Sequence, residues 1–287
     1  MKKPFIIAEI GCNHMGQLEL AKDMISIAKL YCHADAVKFQ KRDVETWSAK
    51  YPEQYNAPHP NTANAYGDTY KAHRAALELD LNQNRELKEH CEKIGIIYST
   101  SVWDLVSAME IASLNPVFIK IPSACNTNFE MLTWLCRNYS GEIHISTGMT
   151  LSKEIEDIIA LFVQEKRNKD LILYACTSGY PVPFKDVCLL EIKTLQDKFQ
   201  DTVKDIGFSG HHIGTAVDIA AYTLGASIVE RHFTLDKNWK GTDHGASLDA
   251  EELRRLCSDL ADVHAALQYK EKEVLEIEDV QRKKLKW

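Results

Sequence analysis

Two short apolar segments end in histidine and could bring two imidazoles together. "DIGFSG" (205–210) is followed directly by His211, and "SIVERHF" (227–233) carries Glu230 and His232. If the segments are neighbouring parallel strands, the imidazoles of His211 and His232 meet at one edge of a sheet, where they suit Mn²⁺, Fe²⁺, Co²⁺ or Zn²⁺. Glu9 and Asp243 are candidate further ligands. The alternative for each histidine is a hydrogen-bonded core residue. This is what we expect for His212, which strand alternation turns to the opposite face, whereas His14 and His244 stay unassigned.

Two lysines lie inside apolar segments, where an ammonium group is costly unless it is paired. They are Lys38 in "AVKFQ" and Lys120 in "VFIKIPS". Polar residues occur at the ends of the other apolar segments: Gln40, Ser123, Ser146, Ser178, Tyr180 and Ser209. Two cations among hydroxyl donors predict a pocket for a phosphate group. The alternative is that each lysine pairs with a buried carboxylate such as Glu9 or Glu230.

The elements that would position these residues alternate regularly along the chain. Eight β-rich apolar segments occupy 5–11, 36–40, 96–101, 117–123, 142–148, 171–178, 205–210 and 227–233. Helical patterns follow them at 18–31, 84–95, 105–114, 129–138, 152–167, 187–199, 215–226 and 249–267, with Ser152 and Asp249 as N-terminal caps. This order predicts a single-domain (β/α)₈ barrel, with an open doubly wound sheet as the alternative. In such barrels the active site lies at the carboxyl ends of the strands.

Two segments interrupt the pattern. Residues 41–80 are rich in Tyr, Asn, Pro and His and separate the second strand from its helix. We interpret them as an irregular insertion that covers the site as a lid. Residues 269–287 form a charged, peripheral tail, so that the barrel domain spans 1–268.

Composition excludes several classes of protein. The formal net charge of −7 argues against nucleic acid or an anionic membrane as the main partner. The eight cysteines form no CxxC pair, which is typical of free thiols in a reducing cytosol. We expect no signal peptide, because the N-terminal apolar run is short, and no apolar run approaches about 18 residues. We therefore expect a cytoplasmic protein.

From the residue types alone, the site combines a phosphate pocket with a divalent metal. The chemistry that this favours is attack on a metal-polarised carbonyl by a carbon nucleophile from a phosphorylated substrate. A metal-assisted phosphatase or an isomerase also fits these features.

The same segments resemble the sialic acid synthase family. The matching motifs run in order through nearly the whole chain: "AEIGCNHMG" (8–16), "AVKFQ" (36–40), "TYKAHRAALEL" (69–79), "IKIPSA" (119–124), "ISTGM" (145–149), "CTSGYPVP" (176–183), "IGFSGHHIG" (206–214) and "LGASIVERHFTLDKNWKGTDHGASLDAEEL" (224–253). The resemblance implies condensation of phosphoenolpyruvate with a six-carbon aldehyde sugar, such as N-acetylmannosamine or its phosphate. The products would be a nonulosonic acid and inorganic phosphate.

The resemblance also implies roles for the candidate residues. His211 and His232 match the ligands of the metal, Mn²⁺ or Mg²⁺. Lys38, Lys120, Ser123, Ser146, Ser178 and Ser209 match contacts of phosphoenolpyruvate. Glu9, Gln40, Tyr180 and Asp243 match groups that orient the sugar and move protons, with Glu9, Lys38 and Asp243 as the expected catalytic residues. A homo-oligomer is the expected assembly.

The sequence departs from the family pattern on the acceptor side. The 287 residues contain no counterpart of the family's C-terminal antifreeze-like domain. Where members often carry an acidic residue after the fourth-strand serine, Ala124 and Cys125 occur here, at a position that we expect to face the sugar. One alternative is a synthase for a shorter phosphorylated sugar, of the octulosonate or heptulosonate type, with its phosphate on Arg42, Lys71, His73 and Arg74. A catalytically inert sugar-binding homologue is the other.

Overall fold

A computed structural model describes residues 2–287, in which eight parallel strands form a closed barrel in sequence order. The strands are β1 (Phe5–Gly11), β2 (Ala36–Lys41), β3 (Ile97–Val102), β4 (Phe118–Ile121), β5 (Glu142–Ser146), β6 (Leu171–Cys176), β7 (Asp205–Gly210) and β8 (Ile228–His232). The closing contact pairs β1 with β8. The predicted single-domain (β/α)₈ barrel is confirmed, and the open sheet is excluded.

The chain contains twelve α-helices in its described part. They are α1 (Leu18–Leu30), α2 (Val44–Lys50), α3 (Pro52–Asn56), α4 (Tyr70–Leu77), α5 (Leu81–Ile94), α6 (Leu105–Ser113), α7 (Phe129–Asn138), α8 (Ser152–Gln164), α9 (Glu191–Phe199), α10 (Ala216–Thr223), α11 (Ala250–Ala266) and α12 (Glu276–Leu285). Among residues 2–287, none of these helices has the length and apolar character needed to cross a membrane.

The inward face of the barrel changes from apolar to polar along each strand. Because side chains alternate with a period of two, Phe5, Ile7 and Glu9 of β1 share one face. At the amino end, an apolar cluster closes the barrel; its members are Ile7, Ala36, Phe118, Ile172, Tyr174 and Ile228. The inward-facing polar side chains, such as Glu9, therefore follow the apolar ones along the strand and lie at its carboxyl end.

Strand register places the first ionisable groups side by side. Glu9 on β1 is the register partner of Lys38 on β2 and of His232 on β8. Ser209 on β7 is the partner of Glu230. The parallel ladder thus brings together residues that are more than 200 positions apart in the sequence.

One of the two predicted helix caps is present. Asp249 accepts a hydrogen bond from the Glu252 amide at 2.9 Å and so begins α11. The assignment of Ser152 as a cap was wrong, because Leu151 occupies the cap position of α8. There the Glu154 carboxylate accepts a hydrogen bond from the Leu151 amide at 2.7 Å, which satisfies a donor of the first turn without a capping hydroxyl.

The insertion after β2 is more regular than its composition indicates. Residues 41–80 contain α2, α3, α4 and a 3₁₀ turn at Thr62–Asn64, so the expectation of an irregular segment was wrong. Asp43 caps α2 and Thr69 caps α4 through side-chain oxygens. Tyr55 is buried in the insertion, and its ring packs edge-on against that of Tyr70 at 5.1 Å. These local caps and aromatic contacts stabilise short helices that a search for long amphipathic patterns misses.

The tail ends in α12, which lies on the surface. Its apolar side chains Ile277 and Leu285 are 84% and 72% exposed. Lys270 pairs with Glu278 at 2.8 Å, within the tail itself.

Candidate active site

The polar carboxyl end of the barrel encloses a cavity of about 290 Å³, which we call the inner chamber. Its walls include the predicted site residues Glu9, Lys38, Gln40, Lys120, Ser123, Ser146, Ser178, Tyr180, Ser209, His211 and His232. Asp243 lines a neighbouring cavity instead. All eight strands carry side chains to this one space, as a barrel with its site at the carboxyl ends requires.

Both lysines of the inner chamber are paired with carboxylates. The Lys38 ammonium lies 2.6 Å from Glu9 Oε2 and 3.6 Å from Glu230 Oε1. The Lys120 ammonium lies 2.9 Å from Glu230 Oε2 and 3.6 Å from the centre of the Tyr174 ring. The pairing considered as the alternative to a phosphate pocket is therefore present. The two functions are compatible, because Lys120 and Lys38 also line an open cavity into which an anion can enter.

Burial and charge shift the pKa values of these lysines and carboxylates in different directions. Burial alone would raise the pKa of Glu230, but the ammonium groups of Lys120 and Lys38 lower it to about 2. Burial raises the pKa of Glu9, against the opposing effect of Lys38. Burial lowers the pKa of Lys120, which Glu230 only partly offsets. Glu230 is thus the carboxylate that stays ionised between the two cations.

The serine hydroxyls surround the same space. Ser101 accepts a hydrogen bond from the Lys38 ammonium at 2.6 Å, and Ser209 donates to Glu230 Oε1 at 3.3 Å. Gly148 lies between two others: a Cβ built on it would come within 2.5 Å of Ser178 Oγ and 2.8 Å of Ser123 Oγ. A side chain at this position would displace hydroxyls from the chamber wall, so the close approach requires glycine.

His211 and His232 are brought together, with ring centroids 5.5 Å apart. Burial lowers the pKa of His211 to about 3, so its ring is neutral, and its Nδ1 donates to the Thr177 carbonyl oxygen at 3.0 Å. That bond leaves Nε2 as an acceptor. His232 Nδ1 is buried and has no hydrogen-bond partner within the described chain. One orphaned nitrogen on His232 and the oriented ring of His211, at the ends of adjacent strands, fit the predicted metal site.

A third protein ligand does not join them. In residues 2–287, no group of three or more His, Cys, Asp or Glu side chains is arranged to hold a metal ion. Glu9, which the sequence offered as a further ligand, is paired with Lys38. A metal held by His211 and His232 would complete its coordination with water or substrate oxygens.

The remaining histidines near the strand ends hold the fold. His212 Nε2 lies 3.0 Å from Arg231 Nη1 on the outer side of the barrel, as strand alternation predicts. His14 Nδ1 accepts from the Gly16 amide at 3.1 Å, and His244 Nδ1 lies 2.7 Å from Thr234 Oγ1. Both unassigned histidines are therefore hydrogen-bonded and buried.

A second cavity of about 440 Å³, the outer chamber, adjoins the first. Four side chains line both cavities: Gln40, Trp103, Tyr180 and His232. The insertion contributes Asn61, Asn64, Tyr66, His73 and Arg74, and the loop after β8 contributes Lys240 and Asp243. Burial alone would raise the pKa of Asp243, but His232, a hydrogen bond from Thr242 and the charge of Arg74 lower it. Asp243 is thus an ionised acceptor beside the shared wall.

The basic residues expected in the insertion separate into two groups. Arg42, His73 and Arg74 line the outer chamber. Lys71 pairs with Glu45 at 2.7 Å and is not part of its wall, so its assignment to the cluster was wrong. Ala124 faces the inner chamber, whereas Cys125 is buried in the hydrophobic core behind it.

Sequence reasoning missed several lining residues, of which three contribute charge or a shared wall. Glu230 was considered only as a partner for a lysine, although its carboxylate contacts Lys38 and Lys120. Trp103 follows directly after β3, two residues beyond Ser101, a position that strand periodicity could have indicated. Lys240 belongs to the irregular loop after β8, where no periodic signal exists.

A (β/α)₈ barrel whose strand ends hold paired lysines, serine hydroxyls and two imidazoles is a barrel enzyme with its active site at the usual face. The chain belongs to the NeuB family, whose model matches residues 24–272, and the predicted sialic acid synthase relationship is confirmed. It is accordingly an enzyme, a synthase of the transferase class that forms carbon–carbon bonds.

Characterised relatives support this assignment. The chain is 38% identical over 283 residues to N-acetylneuraminate-9-phosphate synthase of Homo sapiens, which covers 98% of this chain and 76% of that relative. It is 38% identical over 272 residues to N,N'-diacetyllegionaminic acid synthase of Campylobacter jejuni, covering 93% and 78%. The chain thus spans about three quarters of the length of these curated relatives.

Among solved structures, the chain superposes on an N-acetylneuraminic acid (sialic acid) synthetase of Leptospira borgpetersenii. The TM-score is 0.81 at 27% sequence identity, over 99% of this chain and 93% of that one. The fold of this chain is therefore that of a solved sialic acid synthetase.

Proposed function

We propose that this enzyme condenses phosphoenolpyruvate with a six-carbon aldehyde sugar, giving a nonulosonic acid and inorganic phosphate. One observation carries the proposal: two chambers share the wall formed by Gln40, Trp103, Tyr180 and His232. A two-substrate condensation needs two adjoining sites whose reacting carbons meet at a common boundary. The inner chamber is lined by cations and hydroxyls, and the outer chamber by mixed donors and acceptors.

The inner chamber suits phosphoenolpyruvate. Its volume of about 290 Å³ fits a small anion. Lys38 and Lys120 offer charge to the phosphate and the carboxylate, and serine hydroxyls offer further donors. Glu230 already pairs with both ammonium groups, so a bound anion would share these cations with the Glu230 carboxylate. This arrangement keeps the buried lysines compensated before substrate arrives.

His211 and His232 would hold the divalent ion, Mn²⁺ or Mg²⁺. An ion bound there would polarise the aldehyde carbonyl of the acceptor. The orphaned Nδ1 of His232 and the hydrogen bond that orients His211 support this role. His232 also borders both chambers, which suits a ligand beside the reacting carbons.

The reaction balances with water as the third reactant. C3 of phosphoenolpyruvate forms a bond to the aldehyde carbon, whose oxygen takes up a proton and becomes a hydroxyl. Water adds to C2, and the C2–O bond to phosphate breaks, which releases inorganic phosphate and leaves the 2-keto acid. Glu9, whose pKa burial raises, is suited to hold the proton for the aldehyde oxygen. Asp243, whose pKa is lowered, is suited to accept a hydrogen bond from a sugar hydroxyl.

The test is phosphate release from phosphoenolpyruvate with Mn²⁺ and a panel of acceptors. The panel holds N-acetylmannosamine, its 6-phosphate, mannose, mannose 6-phosphate, a dideoxy diacetamido hexose and arabinose 5-phosphate. We expect release only when metal, phosphoenolpyruvate and a six-carbon acceptor are all present. Lys120→Met should raise the KM for phosphoenolpyruvate, and His232→Ala should abolish turnover and metal retention. Full activity of His232→Ala in metal-free buffer would contradict the metal assignment.

The alternative, a synthase for a shorter phosphorylated sugar, is favoured by one observation. Arg42 and Arg74 line the outer chamber, as an acceptor phosphate would require. Release with arabinose 5-phosphate alone would identify that reaction. The expected homo-oligomer is tested separately by the mass of the purified protein in solution.

A further inference from the structure

The outer chamber carries positive charge that the reaction described above does not use. Three cationic side chains line it, Arg42, Arg74 and Lys240, against the single carboxylate of Asp243. Burial lowers the pKa of His73 to about 4, so this imidazole is neutral and leaves the balance unchanged. The wall therefore has a formal excess of two positive charges, before any contribution from the Glu78 carboxylate behind Arg42.

Two of these cations lack a carboxylate partner. In residues 2–287, neither Arg74 nor Lys240 forms an ion pair. The half-buried Arg74 guanidinium donates to the Tyr70 hydroxyl from Nε at 2.9 Å and from Nη2 at 2.6 Å. Lys240 Nζ lies 4.8 Å from the centre of the Tyr66 ring. Donors held by aromatic side chains at a cavity wall are positioned for an anion that comes from outside the chain.

Arg42 is held rigidly in the same wall. Its guanidinium stacks on the Trp103 ring at 3.7 Å, and its Nη2 donates to Gln40 Oε1 at 2.7 Å. Nη1 lies 3.5 Å from Glu78 Oε1, so this cation is partly compensated. Because Trp103 and Gln40 belong to the wall shared with the inner chamber, Arg42 contacts that boundary directly. Arg74 and Lys240 belong to the insertion and to the loop after β8.

The geometry points to a phosphate site in the outer chamber, so that the acceptor sugar is a phosphorylated one, with its phosphate on Arg74 and Lys240 and with Arg42 beside it. This inference rests on the proposed condensation. The aldehyde end must lie at the shared wall, next to His232, and the far end of the sugar then reaches the insertion. A phosphate monoester carries a charge of about −1.5 to −2 at neutral pH, and Arg74 and Lys240 offer it two cations that have no carboxylate partner in the described chain. A neutral sugar would leave both of them without an anion.

Lys71 provides a matched control. It lies three residues before Arg74 on α4, but it pairs with Glu45 at 2.7 Å outside the chamber. Arg74→Gln and Lys71→Gln therefore each remove one positive charge from the same helix. Only the first removes a donor from the chamber wall.

The experiment compares kcat/KM for N-acetylmannosamine and N-acetylmannosamine 6-phosphate in the full chain with Mn²⁺ and phosphoenolpyruvate. We expect a preference of about 100-fold or more for the phosphorylated acceptor, because a site built for a polar group rejects the analogue that lacks it. Arg74→Gln should remove most of this preference by raising the KM for the 6-phosphate, and Arg74→Lys should restore part of it. Lys71→Gln should keep the preference of the unaltered enzyme.

The outcomes separate this inference from the proposed function. Equal or better turnover of the unphosphorylated sugar overturns the phosphate site and leaves the condensation standing. Turnover of arabinose 5-phosphate alone supports the phosphate site and overturns the six-carbon acceptor. If no acceptor reacts, the condensation fails. Calorimetric titration with N-acetylmannosamine 6-phosphate then decides the site: binding that Arg74→Gln abolishes and Lys71→Gln keeps supports it, and absence of binding overturns it.

Discussion

Glu230→Gln should show that one carboxylate compensates both buried lysines. The side chains of Lys120 and Glu230 are 2% and 8% exposed, and Nζ lies 2.9 Å from Oε2. At this distance and an effective dielectric constant of about 20, the attraction between unit charges is about 6 kcal/mol. Removing one partner of a buried pair leaves the other charge uncompensated and costs about 3–5 kcal/mol. We expect Glu230→Gln to lower the free energy of unfolding by that amount.

The companion variants distinguish this cause from a packing defect. Lys120→Met should cost less, because Lys38 Nζ remains 3.6 Å from Glu230 Oε1 and still neutralises it. The double variant should be less destabilised than the sum of the two single changes, with a coupling of about 2 kcal/mol or more. Phosphoenolpyruvate should stabilise Glu230→Gln more than it stabilises the unaltered enzyme, since its phosphate replaces the lost partner of Lys120.

Urea unfolding followed by tryptophan fluorescence measures these free energies, with unchanged m-values as the check that the unfolded states are comparable. Additive costs, with a coupling below about 0.5 kcal/mol, would refute the reasoning, because independent sites add. An unchanged free energy of unfolding for Glu230→Gln would also refute it.

Three further outcomes follow from the same contacts. Burial lowers the pKa of His144 from 6.5 to about 4, so the unfolded chain binds this proton more readily than the folded one. The free energy of unfolding should therefore fall by roughly 3 kcal/mol as the pH drops from 6.5 through 4. Urea titrations at several pH values measure this slope, and His144→Gln should flatten it. Gly148→Ala should raise the KM for phosphoenolpyruvate about tenfold through displacement of Ser178, and an unchanged KM would remove that hydroxyl from the site. Asp218→Asn should destabilise the fold by about 3–5 kcal/mol because Arg231 is fully buried; an unchanged unfolding midpoint would contradict this.

The barrel was predictable because both of its periods are visible in the sequence. Apolar runs such as 205–210 stand out against helical patterns such as 129–138, and the structure begins and ends these two elements at the same residues. The insertion was not predictable in this way. Its helices are five to eight residues long, and they depend on caps such as Asp43 and Thr69 and on aromatic contacts within the insertion.

The candidate site was predictable as a set of residues but not as a set of pairs. Strand ends identify Lys38, Lys120 and Glu9 because a barrel gathers them at one face. That Glu230 serves both lysines depends on side-chain reach across the barrel, which no local pattern encodes. Lys71 illustrates the same limit, since only the packing of α4 against α2 turns it toward Glu45.

Register in β8 connects the outer side of the barrel to the chemistry inside it. Glu230 and His232 point inward only because Arg231, between them, points outward. A slip of one residue would exchange the two faces. On the outer side Arg231 pairs with Asp218 of α10 and donates to the His212 carbonyl oxygen at 2.6 Å and the Gly214 carbonyl oxygen at 2.8 Å. A buried guanidinium with these partners can occupy no other place in the strand without losing them. The cluster therefore fixes the alternation that presents His232 to both chambers, although none of its side chains lines either one.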